Sequence, residues 1–148
     1  MQNLILDTNV IVSALISNSI PTKILYELVL TQKVQTCLSD EIFAEYVEVM
    51  NREKFVKYIN FKAQADVVLN KLREISRFYK PDRKINILTD TSDNKFLELA
   101  AVSSAGYLIT GNTLHFQITE FEYIRILTPR EYWDYFDTKK NKQYFQKK

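Results

Sequence analysis

Four short apolar runs, Leu4 to Leu6, Val34 to Leu38, Tyr107 to Thr110 and Tyr123 to Leu127, are separated by longer stretches whose apolar residues recur at helical spacing. Strands divided in this way pair in parallel, through right-handed crossovers. The order predicts an α/β fold of three layers, a mainly parallel central sheet flanked by helices. Ile24, Leu25, Leu28 and Val29 form one helical series, and Val67, Val68, Leu72 and Ile75 another. Pro21 suits the first turn of the second helix, and Ser39-Asp40 stands where a cap belongs before the third. A helix from Asp93 to about Ala105 is expected to stop at Gly106. Pro129 opens a last short helix with Tyr132, Trp133 and Phe136 on one face. Lys80 to Thr89 carries neither period, and reads as an irregular loop or a short strand.

With 148 residues, 46% of them hydrophobic, the chain can bury one core but not two. We read one domain over residues 1–136 and a basic, partly disordered tail over 137–148. The tail holds five lysines against Asp137, a charge of +4; the total is +2, so the body is mildly acidic at −2. Lys139, Lys140 and Lys142 would attract a polyanion, or simply solvate the terminus. No run reaches the roughly 20 apolar residues needed to span a bilayer, and the start lacks the pattern of a signal peptide. The expectation is a cytoplasmic protein with no membrane partner. A single cysteine, Cys37, agrees with a reducing compartment, argues against a Cys-rich zinc site, and is expected to be buried and inert. Only Gly106 and Gly111 are present, too few for phosphate-cradling loops. His115 is the only histidine, so a serine-histidine-acid relay has little to work with.

The acids are more informative. Asp7 ends the first apolar run, at the place where ligands collect in α/β proteins, although it is equally suited to cap the helix starting near Val10. Glu41, Glu45 and Glu48 share one flank of the third helix, so one can face the end of the sheet while the others are solvated. Asp93 follows Asp90-Thr91-Ser92 and is either a helix cap or a functional acid. Each acid lies at the carboxyl end of a predicted strand or on the helix that follows one.

Four segments in order resemble the motifs of the PIN-domain family. Asp7-Thr8-Asn9-Val10-Ile11-Val12-Ser13-Ala14-Leu15 is similar to its opening motif, and Ser39-Asp40-Glu41-Ile42-Phe43-Ala44-Glu45 to its second. Asp90-Thr91-Ser92-Asp93-Asn94-Lys95-Phe96-Leu97-Glu98-Leu99-Ala100 resembles the third, and Tyr107-Leu108-Ile109-Thr110-Gly111-Asn112 the fourth. The likeness runs from residue 4 to about 136 and is strongest to the toxin components of toxin-antitoxin pairs. It implies a Mg²⁺- or Mn²⁺-dependent ribonuclease acting on single-stranded RNA, with Asp7, Glu45 and Asp93 as the core acids and Asn112 as a further metal ligand. Thr8, Asn9, Ser13, Asp90 and Thr110 would hold those acids in place. A small antitoxin protein as partner and a homodimer are implied as well. Many relatives carry aspartate where this chain has Asn112; others share Thr110-Gly111-Asn112 followed by His115-Phe116. An asparagine can offer a neutral carbonyl but no charge, which predicts one well-held ion and a weak second site.

The chemistry explains the residue types. Phosphodiester hydrolysis needs an attacking water and neutralisation of charge on phosphate oxygens, and a hard cation on oxygen ligands supplies both. Two other readings remain at this point. One is a PIN-like RNA- or protein-binding module with weak catalysis, suggested by Asn112. The other is a phosphatase of the haloacid-dehalogenase type, which would need a second aspartate where Asn9 stands.

Overall fold

The protein is described by a computed structural model that covers residues 1–112, 116 and 118–146, with side chains through residue 137. His115 and the side chains of Lys139, Lys140 and Lys142 lie outside the described residues.

The first strand, β1 (Asn3–Leu6), is buried at Leu4, Ile5 and Leu6 and occupies the middle of the sheet. It pairs in parallel with β2 (Gln35–Leu38) on one side and β4 (Tyr107–Ile109) on the other. Beyond β2 lies β3 (Arg77–Phe78), and beyond β4 lie β6 (Ile124–Leu127) and β5 (Glu120–Phe121). Among the described residues only the β5–β6 pair is antiparallel. The strand order β3-β2-β1-β4-β6-β5 makes the gap between β1 and β4 the place where the chain reverses its direction of winding. A crevice opens at the carboxyl ends of strands at such a point.

The helices are α1 (Thr8–Ile16), α2 (Ile20–Lys23), α3 (Asp40–Met50), α4 (Phe61–Ile75), α5 (Asn94–Ser103) and α6 (Pro129–Gln146). Pro21 sits in the first turn of α2, which widens into a π-helical segment over Ile24–Val29 that buries Ile24, Leu25, Leu28 and Val29. The Ser39 hydroxyl accepts the Ile42 amide and so caps α3. In α4 the core stripe is Phe61, Ala65, Val68, Leu69 and Leu72, spaced by four, three, one and three; Val67 faces solvent. The helix before β4 ends earlier than Gly106. Ser104 takes the left-handed turn (φ 57°) and its amide bonds the Ala100 carbonyl, so no glycine is needed there.

Lys80 to Thr89 is a loop, and two side chains from α5 pin it. Glu98 accepts the Ile85 amide (3.0 Å) and Asn94 accepts the Leu88 amide (3.1 Å), while Ile85 and Leu88 are buried. The helix opened by Pro129 is longer than the short element expected, since its backbone stays helical to Gln146. Its first turns dock through Tyr132, fully buried with its ring 5.3 Å from that of Tyr107 and its hydroxyl on Gln2. Cys37 is buried and unbridged in β2, and burial pushes its thiol pKa up. Among the described residues no helix is long and apolar enough to cross a membrane.

Candidate acid site at the carboxyl end of the sheet

Asp7 follows directly on β1, and its amide bonds the Ile109 carbonyl (2.9 Å), which carries the β1–β4 pairing one residue past the strand. The backbone then turns into α1. Asp7 occupies the capping position of that helix but makes no side-chain capping bond. Its carboxylate instead accepts the Thr110 hydroxyl (2.7 Å) and the Asn9 amide (3.3 Å), both at Oδ2. Thr110, fully buried, accepts in turn the Asn112 backbone N–H (3.1 Å). A continuous donor chain thus runs from the end of β4 to Asp7.

Asn9 does double duty. Its Oδ1 accepts the Gly111 amide (3.2 Å) while its Nδ2 donates to Asp7, tying the loops after β1 and β4 together. A Cβ at position 111 would stand 3.3 Å from Asn9 Oδ1, so glycine is what lets the two loops approach. A carboxylate at position 9 could not donate to Asp7 and would repel it. The second aspartate that the haloacid-dehalogenase pattern needs is absent, since Asn9 stands there.

Glu45 lies on α3, after β2. The flank carrying it divides as expected: Glu41 and Glu48 are exposed, Glu48 pairing with Arg52, while Glu45 turns inward. The Thr8 hydroxyl donates to Glu45 Oε2, and Lys95 Nζ lies 2.6 Å from Oε1. One residue on, the buried Tyr46 hydroxyl donates to the Leu6 carbonyl and so fixes α3 against the end of β1. Burial, then the charges of Asp7 and Glu45, push the Tyr46 pKa well above its ordinary value, keeping the phenol a donor.

Asp93 closes a short 3₁₀ turn (Thr91–Asp93) and stands at the start of α5 without a side-chain capping bond to it. Asp90 has the capping role, accepting both the amide and the hydroxyl of Ser92. Burial pushes the Asp7 pKa up to about 6; Thr110 and the Thr8 amide oppose this, and the charges of Asp93 and Glu45 reinforce it. Asp7, Glu45 and Asp93, from three separate elements, therefore share one field. Ser13 lies further along α1, and the Asn112 backbone N–H donates to Thr110, which in turn donates to Asp7.

Hard carboxylate oxygens without sulfur or imidazole among them are the donor chemistry of Mg²⁺ or Mn²⁺. Burial, and then the charges of Asp93 and Glu45, make the Asp7 carboxylate costly to ionise, and a divalent cation would lower that cost. The donor set fits such an ion. Among the described residues, however, no three acids are already gathered into a ligand cluster. Thr8 and Lys95 engage both oxygens of Glu45.

Lys95 and Tyr46 were not foreseen from the sequence. Lys95 had a signal: a cation in the first turn of a helix faces the positive end of the helix dipole, so its presence implies a nearby acid. Tyr46 had none, since its partner is a carbonyl 40 residues away.

A family model of the PIN domain matches residues 3–114. The chain belongs to the PIN domain family. The uncharacterized protein MJ1680 of Methanocaldococcus jannaschii is 29% identical over 143 residues, 90% of each chain. Two solved structures share the fold. One is VapBC2 from Rickettsia felis bound to a DNA fragment from their promoter, with a TM-score of 0.56, 17% identity, and coverage of 86% of this chain and 98% of that one. The other is FitAB bound to an IR36 DNA fragment, with a TM-score of 0.54, 18% identity, and coverage of 85% and 94%. The matched range contains Asp7, Glu45, Asp93 and Asn112.

Proposed function

We propose that this PIN-domain chain is the nuclease toxin of a toxin-antitoxin pair, a divalent-metal-dependent endoribonuclease that hydrolyses single-stranded RNA. The observation that carries the reading is Asp7, placed where the sheet reverses its winding, with its pKa raised first by burial and then by the charges of Asp93 and Glu45. PIN domains are generally nucleases, and that chemistry needs acids so placed.

Asp7, Glu45 and Asp93 would hold Mg²⁺ or Mn²⁺, with Asn112 able to add a neutral oxygen. The ion, when bound, lowers the pKa of a bound water and neutralises charge developing on phosphate oxygens. The chain's own contribution is to hold the acids ready. Thr110 and Asn9 orient Asp7 with neutral donors, so its charge is not cancelled. Thr8 does the same for Glu45.

An antitoxin partner is supported by the structural neighbours, which are the VapBC2 and FitAB complexes on DNA. A homodimer and RNA contacts from Lys139, Lys140 and Lys142 complete the reading. Metal-stripped protein supplied with Mg²⁺ or Mn²⁺ should cleave single-stranded RNA, chelation should stop it, and Asp7→Asn should be inactive. If Asp7→Asn cleaves as well as the parent under identical metal, the nuclease reading is wrong. Co-expression with a small neighbouring gene product should suppress the cleavage.

The pairing of Lys95 with Glu45, together with the uncharged Asn112, favours one second reading, a PIN module that binds RNA or protein with little catalysis. Metal-dependent turnover in the same assay decides between the two.

A further inference from the structure

We propose that Lys95 is a built-in counter-cation of the acid site, competing with the divalent ion for Glu45 and thereby setting how tightly divalent ions bind. This rests on the metal-dependent reading above and assigns a role to a residue that the motif acids leave unexplained.

Three observations carry it. Lys95 is held on both sides, with Nζ 2.6 Å from Glu45 Oε1 and 2.7 Å from the Ser92 carbonyl. The pair is sheltered: the side chains of Lys95 and Glu45 are 13% and 26% exposed, against 48% and 62% for the surface pair Arg52–Glu48. A surface pair is screened by water and salt and has little effect, whereas a sheltered pair such as Lys95–Glu45 is screened less. Finally, both oxygens of Glu45 are engaged, Oε2 by Thr8 and Oε1 by Lys95. A cation that reaches Glu45 must therefore displace or share one of these partners, and the ammonium is the one it repels.

Removing the positive charge beside Glu45 therefore favours tighter binding of a divalent ion. The position of Lys95, in the first turn of α5, is unfavourable for a lysine by the helix dipole, so local helix stability does not account for it.

Mn²⁺ is titrated by calorimetry into metal-free parent protein, Lys95→Gln and Lys95→Arg, with thermal melting of each protein with and without Mn²⁺. Lys95→Gln should bind Mn²⁺ on the order of tenfold tighter, and its melting temperature should rise more on adding Mn²⁺ than the parent's does. Lys95→Arg keeps the charge and should keep the parent affinity. A lysine that only braces the fold predicts the opposite sign, weaker binding in Lys95→Gln. Lys95→Met repeats the measurement with another neutral side chain should Lys95→Gln fail to fold. Unchanged or weaker Mn²⁺ binding in the neutral variant overturns the role of Lys95 and leaves the nuclease reading standing. A parent protein that binds no Mn²⁺ overturns both.

Discussion

A buried carboxylate whose pKa lies near 6 couples the stability of this fold to pH. Asp7 holds its proton more tightly in the folded chain than in the unfolded one, where the value is about 3.8. Between these values the folded state binds the extra proton, so Asp7 supports the metal-free fold below about pH 4 and loses that contribution as pH rises through about 6. The difference corresponds to about 3 kcal/mol at pH 7. Asp7→Asn should abolish RNA cleavage, yet stabilise the metal-free protein at pH 7 by up to about that amount and flatten its pH dependence between 4 and 6. Urea denaturation across this range, with chelator present, checks both; a parent whose stability rises from pH 4 to 6 while Asp7→Asn stays flat would contradict the assignment. Asn112 permits a second test at this scale. Asn112→Asp adds a negative charge and should tighten Mn²⁺ binding, most visibly for a second ion. Identical affinity and stoichiometry in a calorimetric titration would place position 112 outside the site.

The elements show what was readable in the sequence and what was not. β1, β2, β4 and β6 were legible because each lies in a short segment rich in apolar residues that the sheet buries, as the inner strands of a parallel sheet require. β3 and β5 were not, because Arg77-Phe78 and Glu120-Phe121 are two-residue edge strands, too short for any period. α5 stops two residues short of the end expected from Gly106, because Ser104 takes a conformation that glycine adopts more readily. Asp7 and Thr110 could be found from the ends of their strands, whereas the pairing of Lys95 with Glu45 is tertiary and leaves no local spacing to read. The loop over residues 80–89 was opaque for the same reason: its order comes from Asn94 and Glu98 on α5, not from its own sequence. Asn94→Ala and Glu98→Ala each leave a buried amide without its acceptor and should cost about 1–3 kcal/mol by urea denaturation. Amide exchange should speed up at Leu88 in the first variant and at Ile85 in the second. Exchange at those amides no faster than in the parent would show that the loop is held by Ile85 and Leu88 packing alone.

At the scale of the whole molecule the charge is segregated along the chain, with a mildly acidic body, an acid site at the carboxyl end of its sheet, and five lysines after residue 137. RNA is a polyanion, so a body of net negative charge gains long-range attraction for it chiefly from the tail. The anchors of α6 precede the lysines: Tyr132 is buried against Tyr107, Phe136 lies 6.2 Å from Tyr132 between ring centroids, and Lys23 stands over the Trp133 ring. Removal of residues 138–148 therefore takes away five lysines and no acid while leaving the docked part of the helix in place. Binding of single-stranded RNA should weaken, and the slope of log affinity against log salt should fall by about 0.7 for each phosphate that the lysines no longer neutralise. Turnover at saturating RNA should change little, because Asp7, Glu45 and Asp93, and the residues seen to orient Asp7 and Glu45, lie at or before Asn112. Titrations at several salt concentrations, paired with single-turnover cleavage at saturating RNA, separate the two effects. Turnover lost at saturation would put the basic segment in the active site, and an unchanged salt slope would mean that its lysines do not meet the RNA.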